Sequence, residues 1–197
     1  VMQKTLQVIR KADPEFKVSL AGNFHKELEA DIYDYCIPIG ASYPAEVLAR
    51  RAQNNLPTTY YTCCTEAFPN TFTFSDPAEA AWMSYYSAKD HLDGYLRWAY
   101  NSWPKEPLLD SRFEAWAGGD TYLVYPGARS SIRFEKLIEG VQAHEKITIL
   151  RKEFTDKKNK TGFKKLEKML STFNLRDFPE VPAAETVNKA NKILNSL

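Results

Sequence analysis

The chain lacks the features that mark several large functional classes. No apolar run approaches the roughly 20 residues of a membrane-spanning helix, so no membrane partner is expected. Lys and Arg number 26 against 25 Asp and Glu; the formal net charge of +1 gives no electrostatic reason to expect nucleic acid. There is no Gly-x-Gly-x-x-Gly, no Cys-x-x-Cys and no His-Glu-x-x-His, so neither a cofactor nor a metal is expected. Cysteine is scarce, and Cys36, Cys63 and Cys64 have no metal-ligand spacing. The adjacent pair is poorly shaped for a disulfide, and all three cysteines read as small apolar residues buried in strands. The redox compartment stays open. No internal repeat, low-complexity segment or signal peptide is visible. The chain opens inside a helical pattern without an N-cap and reads as truncated, so missing targeting information carries little meaning.

What is present fits a globular chain. Its 197 residues are 44% hydrophobic and 26% charged, enough for one domain with a sizeable core or part of a larger one. Aromatics make up 13%, and many fall near strand ends. Apolar and β-branched runs predict strands at residues 17–22, 32–39, 58–64 and 94–100. Helical spacing covers 2–12 and 44–54, with at most one turn at 25–30. A helix from Asp76 to about residue 91 begins with a capping-box pattern, Asp76 followed three residues on by Glu79.

This alternation is that of parallel βα units. Four such strands make half of a (β/α)8 barrel or a small doubly wound sheet, and the partial first helix favours the half-barrel. The expected fold is α/β: the C-terminal half of a (β/α)8 TIM-type barrel over residues 1–154, then closing helices over 155–197. Beyond the fourth strand, a short strand is expected at 121–125. A long helix is expected at 131–154, capped by Ser130 or Ser131, with Ile132, Phe134, Leu137, Ile138 and Val141 at core-compatible spacing. A charged linker at 155–160 and helices at 164–173 and 183–197 complete the chain. The Lys-rich stretch 157–168 reads as a solvated helix face.

In parallel α/β architectures ligands bind at the C-terminal ends of the strands. There this chain places Asn23-Phe24-His25, Gly40-Ala41-Ser42, Thr65-Glu66 with the loop to Asn70, and Asn101-Ser102-Trp103. Trp, Tyr, Asn and Asp together suit a sugar: aromatic faces pack on the apolar face of a pyranose, and amides and carboxylates bind its hydroxyls. The candidate substrate-binding residues are Glu66, Asn70, Trp98, Tyr100, Asn101, Trp103, Asp110 and Asp120. Each has a competing structural reading. Trp98 and Tyr100 share one side of their strand and suit a core. Glu66, Asp110 and Asp120 suit loop capping or pairing with Arg112 and Arg133. Glycosidases usually need two carboxyl groups about 5 to 10 Å apart, which sequence cannot supply. His25 reads as a structural donor or a proton-transfer group. Tyr125-Pro-Gly127 reads as a structural turn.

Several of these segments together resemble a known family. Tyr60-Tyr-Thr-Cys-Cys64, Pro69-Asn-Thr-Phe72, Asp93-Gly-Tyr-Leu-Arg-Trp-Ala-Tyr-Asn-Ser-Trp103, Gly119-Asp-Thr-Tyr-Leu-Val-Tyr-Pro-Gly127 and Ser131-Ile-Arg-Phe-Glu135 resemble the C-terminal part of the barrel domain of glycoside hydrolase family 123, over about residues 15–150. The resemblance implies a β-N-acetylgalactosaminidase-like enzyme acting by substrate assistance, an exception to the two-carboxylate scheme. The substrate's acetamido oxygen attacks the anomeric carbon, an Asp orients the acetamido group, and the adjacent Glu is the acid/base. No adjacent Asp-Glu dipeptide exists here; Glu29-Ala-Asp31 and Lys89-Asp90 are poor matches. The catalytic pair is therefore expected outside this chain, and no catalytic residue is assigned within it. The chain also has Ala143-His-Glu145 where the family leads one to expect Asp-Tyr-Glu. The implied partners are a glycan substrate and the missing N-terminal half of the barrel, in a secreted or periplasmic protein. The alternative reading is a non-catalytic carbohydrate-binding or scaffold barrel.

Overall fold

A computed structural model describes residues 1–178 and 180–197. The chain forms two compact units, 1–61 with 92–96, and 62–91 with 97–197.

The first unit is built on a sheet. Strands β1 (Ser19–Ala21), β2 (Asp34–Pro38), β3 (Thr58–Thr62) and β4 (Gly94–Arg97) lie in the order β1-β2-β3-β4. β1 pairs with β2 and β2 with β3 in parallel, with Ser19 opposite Asp34 and Tyr35 opposite Thr58. Every strand is shorter than its apolar run suggests. The fourth loses all three of its missing residues at its C-terminal end, stopping at Arg97 rather than at residue 100, because the backbone beyond it pairs with a different segment. Asp93 joins β3 to β4: its carboxylate accepts from the Thr58 backbone N–H at 2.7 Å and from the Thr58 hydroxyl at 2.9 Å, while its own N–H donates to the Thr58 carbonyl.

Helices α1 (Met2–Ala12) and α2 (Ala45–Gln53) belong to this unit. A 3₁₀ turn at Glu29–Asp31 is the single turn expected near there. The core gathers Leu6, Leu28, Ile32, Tyr35, Ile37, Val47 and Tyr60. Arg51 of α2 is fully buried and donates to the carbonyls of Ile32, Tyr33 and Pro57 at 3.0, 2.7 and 2.8 Å, and to Glu29 at 3.2 Å. A buried guanidinium is tolerated because these acceptors replace its water.

The second unit is a helical assembly around α3 (Ala78–Lys89), flanked by α4 (Ile132–Asp156), α5 (Lys160–Leu170) and α6 (Ala183–Leu194). α3 is buried on nearly every side, as its Ala-Ala-Trp-Met-Ser-Tyr-Tyr composition permits. It starts one residue later than an N-cap at Asp76 suggests. The reciprocal bonds form all the same: the Asp76 carboxylate accepts from the Ala78 N–H at 2.9 Å, and Glu79 reaches back to the Asp76 N–H at 3.1 Å. Ser131 caps α4 by accepting from Phe134 N–H at 3.1 Å.

The buried stripe of α4 is not the one expected. Ile132, Ile138 and Val141 are exposed, and Phe134 and Leu137 are half-buried. Arg133, Gly140, Ala143, Ile147, Leu150 and Phe154 face inward instead. Small residues decide this: a Cβ on Gly140 would sit 2.8 Å from the Ala81 Cα, so the two helices touch where neither has bulk. α4 also runs through the expected linker to Asp156, and α5 begins at Lys160. Aromatic contacts close this core: Tyr85 stacks on Phe173 at 4.6 Å, and Trp82 meets Tyr86 at 5.5 Å. Among the described residues no helix is long and apolar enough to cross a membrane.

Candidate functional site

In the second unit, three loops meet around one buried ion pair. The first follows β3, the second leaves β4, and the third spans residues 110–125. Arg97, at the end of β4, donates to the Asp120 carboxylate at 2.7 Å, and both side chains are nearly inaccessible. The same carboxylate oxygen accepts from the Trp98 indole N–H at 3.3 Å. Arg97 also donates to the Asn70 side-chain oxygen at 3.2 Å. Asn70 is fully buried; its amide donates to the Cys63 and Glu66 carbonyls at 2.8 and 2.7 Å, and its oxygen also accepts from Thr71 N–H. One chain of hydrogen bonds thus runs from the β3 loop through Asn70, Arg97 and Asp120 to Trp98.

Glu79 supports the same loop from α3, accepting from the Asn70 backbone N–H at 2.7 Å. Burial pushes its carboxyl from the ordinary 4.5 to about 7, outweighing the two backbone N–H groups that favour the charged form. Arg133, at the start of α4, donates to the Gly119 carbonyl at 2.9 Å and to the Thr71 carbonyl, so it fixes the third loop through backbone. Gly119 has φ +75°, and a Cβ there would lie 2.6 Å from the Arg133 guanidinium; both facts demand glycine.

The short strand expected at 121–125 is absent. Two isolated antiparallel bridges, Asn101 to Tyr122 and Tyr125 to Arg129, replace it, the first flanked by bonds from Ser102 N–H to Thr121 O and from Leu123 N–H to Tyr100 O. The first pairing commits residues 100–102 to the third loop, which accounts for the early end of β4.

The candidate residues divide by accessibility. Asn70 and Asp120 are sealed inside the network, where they position other groups. Asp120 pairs with Arg97 and not with Arg133. Glu66 accepts from Cys63 N–H at 2.7 Å and from the Thr65 hydroxyl at 2.6 Å, closing its own loop. Asp110 is exposed and forms a two-point pair with Arg112 at 2.9 and 2.7 Å, which lowers its carboxyl to about 2. Tyr100 is exposed with its ring edge-on to Phe134 at 5.8 Å, and Asn101 is exposed. Trp103 is anchored by its indole N–H on the Val124 carbonyl at 2.7 Å and remains exposed. His25 is exposed beside Glu27 in the first unit.

Trp116 carries no role in the sequence reading, yet its ring lies 4.8 Å from Trp98, and the two expose 41% and 40% of their surface. Trp116, Cys64, Arg112, Ala115, Ala117 and Gly118 line an open cleft of 580 Å³. Small residues on either side of Trp116, in Ala115-Trp-Ala-Gly-Gly119, are the signal that could have found it, since they leave the ring uncovered. The cysteines also differ from expectation: Cys36 is buried in β2, but Cys63 is half-buried and Cys64 is exposed beyond β3. Among the described residues no cluster of three His, Cys, Asp or Glu could hold a metal.

An α/β chain with a parallel sheet and a rigidly held aromatic wall beside an open cleft has the build of a small-ligand enzyme or binding domain. Residues 1–150 match the model of the glycoside hydrolase 123 catalytic domain, and the chain belongs to that family. A solved structure presented as a family 123 glycoside hydrolase from Clostridium perfringens, in a study of glycolipid glycan hydrolysis, shares the fold with a TM-score of 0.77 and 24% identity. The match covers 98% of this chain and 38% of that one, so the chain spans well under half the length of its structural relative. A comparison with curated proteins found no match.

Proposed function

We propose that the chain is the C-terminal part of a glycoside hydrolase acting on N-acetylhexosamine glycans, N-acetylgalactosamine first among them, by substrate-assisted catalysis. In this reading residues 1–154 are the C-terminal half of a (β/α)8 barrel and 155–197 are closing helices. The strand order supports it. The order β1-β2-β3-β4 has no reversal, whereas doubly wound sheets reverse at a switch point.

The observation that carries the functional reading is the aromatic wall. Trp98 is held by Asp120, stays 40% exposed and packs against Trp116, which lines an open cleft. Trp103 offers a second anchored indole. The chain's part is then to supply sugar-binding walls, and the Asp-Glu pair that orients and protonates the substrate comes from the preceding half. The carboxylates here support that division of labour: Glu66, Asp110 and Asp120 are each committed to a loop or an arginine.

The isolated chain is expected to show no turnover of aryl N-acetylgalactosaminides or N-acetylglucosaminides. A longer protein carrying the preceding half should hydrolyse one of them. Turnover by the isolated chain, abolished by a substitution within it, would place the acids here after all. A longer protein that binds N-acetylhexosamines without hydrolysing them would leave the non-catalytic barrel as the function.

A further inference from the structure

The corner between α4 and α5 holds a second concavity, beyond the last residue of the family match. It measures 380 Å³, within the range of about 300–1,000 Å³ of small-molecule sites. Phe154, Thr155, Lys158, Asn159, Lys160, Phe163 and Lys164 line it. Its build follows from the turn. α4 ends at Asp156, Lys158 takes φ 53°, and the Asn159 side chain caps α5 by accepting from Gly162 N–H at 2.9 Å. Gly162 lets α5 approach Phe154 closely, since a Cβ there would lie 3.0 Å from that ring. Phe154 is thereby buried as a floor, while Phe163 stays 38% exposed at the side.

The rim is cationic and uncompensated. Lys158, Lys160 and Lys164 make no ion pair among the described residues. The acids of the adjoining turn are already taken: Glu153 by Lys157 and Asp156 by Lys152, each at 2.6 Å. Lysine stems extend the apolar wall and keep their ammonium groups in water at the mouth. The rim holds three lysines and no carboxylate, so it favours a ligand with a negative charge over a neutral sugar. An apolar body with one anionic end fits both the floor and the rim.

We propose that this corner binds a free anionic amphiphile, an alkyl chain ending in a single carboxylate. The site is separate from the Trp98–Trp116 cleft and does not depend on the glycan reading. Decanoate titrated into the 197-residue chain by calorimetry, below its micelle-forming concentration, tests it. Decanoate should bind at one site, about ten-fold tighter than decyltrimethylammonium, the scale expected of several exposed charge contacts. Shortening to octanoate should weaken binding by an order of magnitude, two methylenes at about four-fold each. The triple variant Lys158→Gln, Lys160→Gln, Lys164→Gln should lose the preference for the anion and melt as the parent does, because all three side chains are exposed. Phe163→Asn should weaken both amphiphiles. Equal binding of anion and cation, wild-type affinity in either variant, or no decanoate binding would overturn the proposal. So would binding to phosphatidylserine vesicles or polyglutamate that decanoate does not displace.

Discussion

At the scale of single residues, the site is a contrast between side chains that are locked and side chains that are open. Asp120 has no path to a ligand, but its charge fixes Arg97 and orients the Trp98 indole. Trp103 and Trp116 face solvent and add little to the core. In a protein that carries the preceding half, Trp116→Ala and Trp103→Ala should each lower kcat/KM several-fold. An aromatic contact is worth about 1 kcal/mol, and thermal melting should stay close to the parent's. Full activity on every N-acetylhexosaminide tested would remove these residues from the sugar wall, and a collapsed melting transition would make them core. Glu79 gives a second prediction. Its folded carboxyl titrates near 7 against an ordinary 4.5. The stability this contributes is complete below pH 4.5 and is lost as the pH rises through 7. The span is about 3 kcal/mol, at about 1.4 kcal/mol per unit. Glu79→Gln should remove that slope. It should also cost about 1–3 kcal/mol at low pH, because its amide N–H₂ would face a backbone N–H. Chemical denaturation of both proteins from pH 4.5 to 8 measures the difference; parallel curves would mean that Glu79 is charged throughout.

At the scale of elements, close approach governs what forms. α3 and α4 meet at Ala81 and Gly140, where a Cβ has no room against backbone. Gly140→Ala gains about 1 kcal/mol of helix propensity. It should nonetheless destabilise the protein by about 1–3 kcal/mol through overpacking, read from denaturation midpoints. A stabilised variant would show that the helices can part without cost. The same contact explains why sequence misled on α4. Periodicity finds bulk, so Ile132, Ile138 and Val141 stood out, and a face chosen for its small residues stayed hidden. Parallel βα units were legible because β-formers and capping residues alternate plainly from Lys17 to Asp93. The end of β4 was not, because the bridge from Asn101 to Tyr122 depends on a partner 21 residues on. Trp98 and Trp103 could be picked out from their places in and just past the fourth predicted strand. Trp116 had only its small flanking residues to mark it, since its place beside Trp98 comes from a neighbour in space and not from its own element.

At the scale of the whole molecule, the chain belongs to glycoside hydrolase family 123 over residues 1–150, and its fold recurs in a solved relative of which it spans 38%. In the proposed reading the ligand is a sugar, and the Trp98–Trp116 wall is where on the second unit it would touch. The four tryptophans separate that claim from a general hydrophobic effect, because Trp82 is buried within α3 while Trp98, Trp103 and Trp116 are not. Indole N–H resonances followed by NMR during titration of the 197-residue chain with N-acetylgalactosamine put the claim to its most direct test. The account predicts saturable shifts of the Trp98 and Trp116 signals, a smaller one at Trp103 and none at Trp82. Stationary Trp98 and Trp116 signals up to saturating sugar, or equal drift of all four, would contradict it.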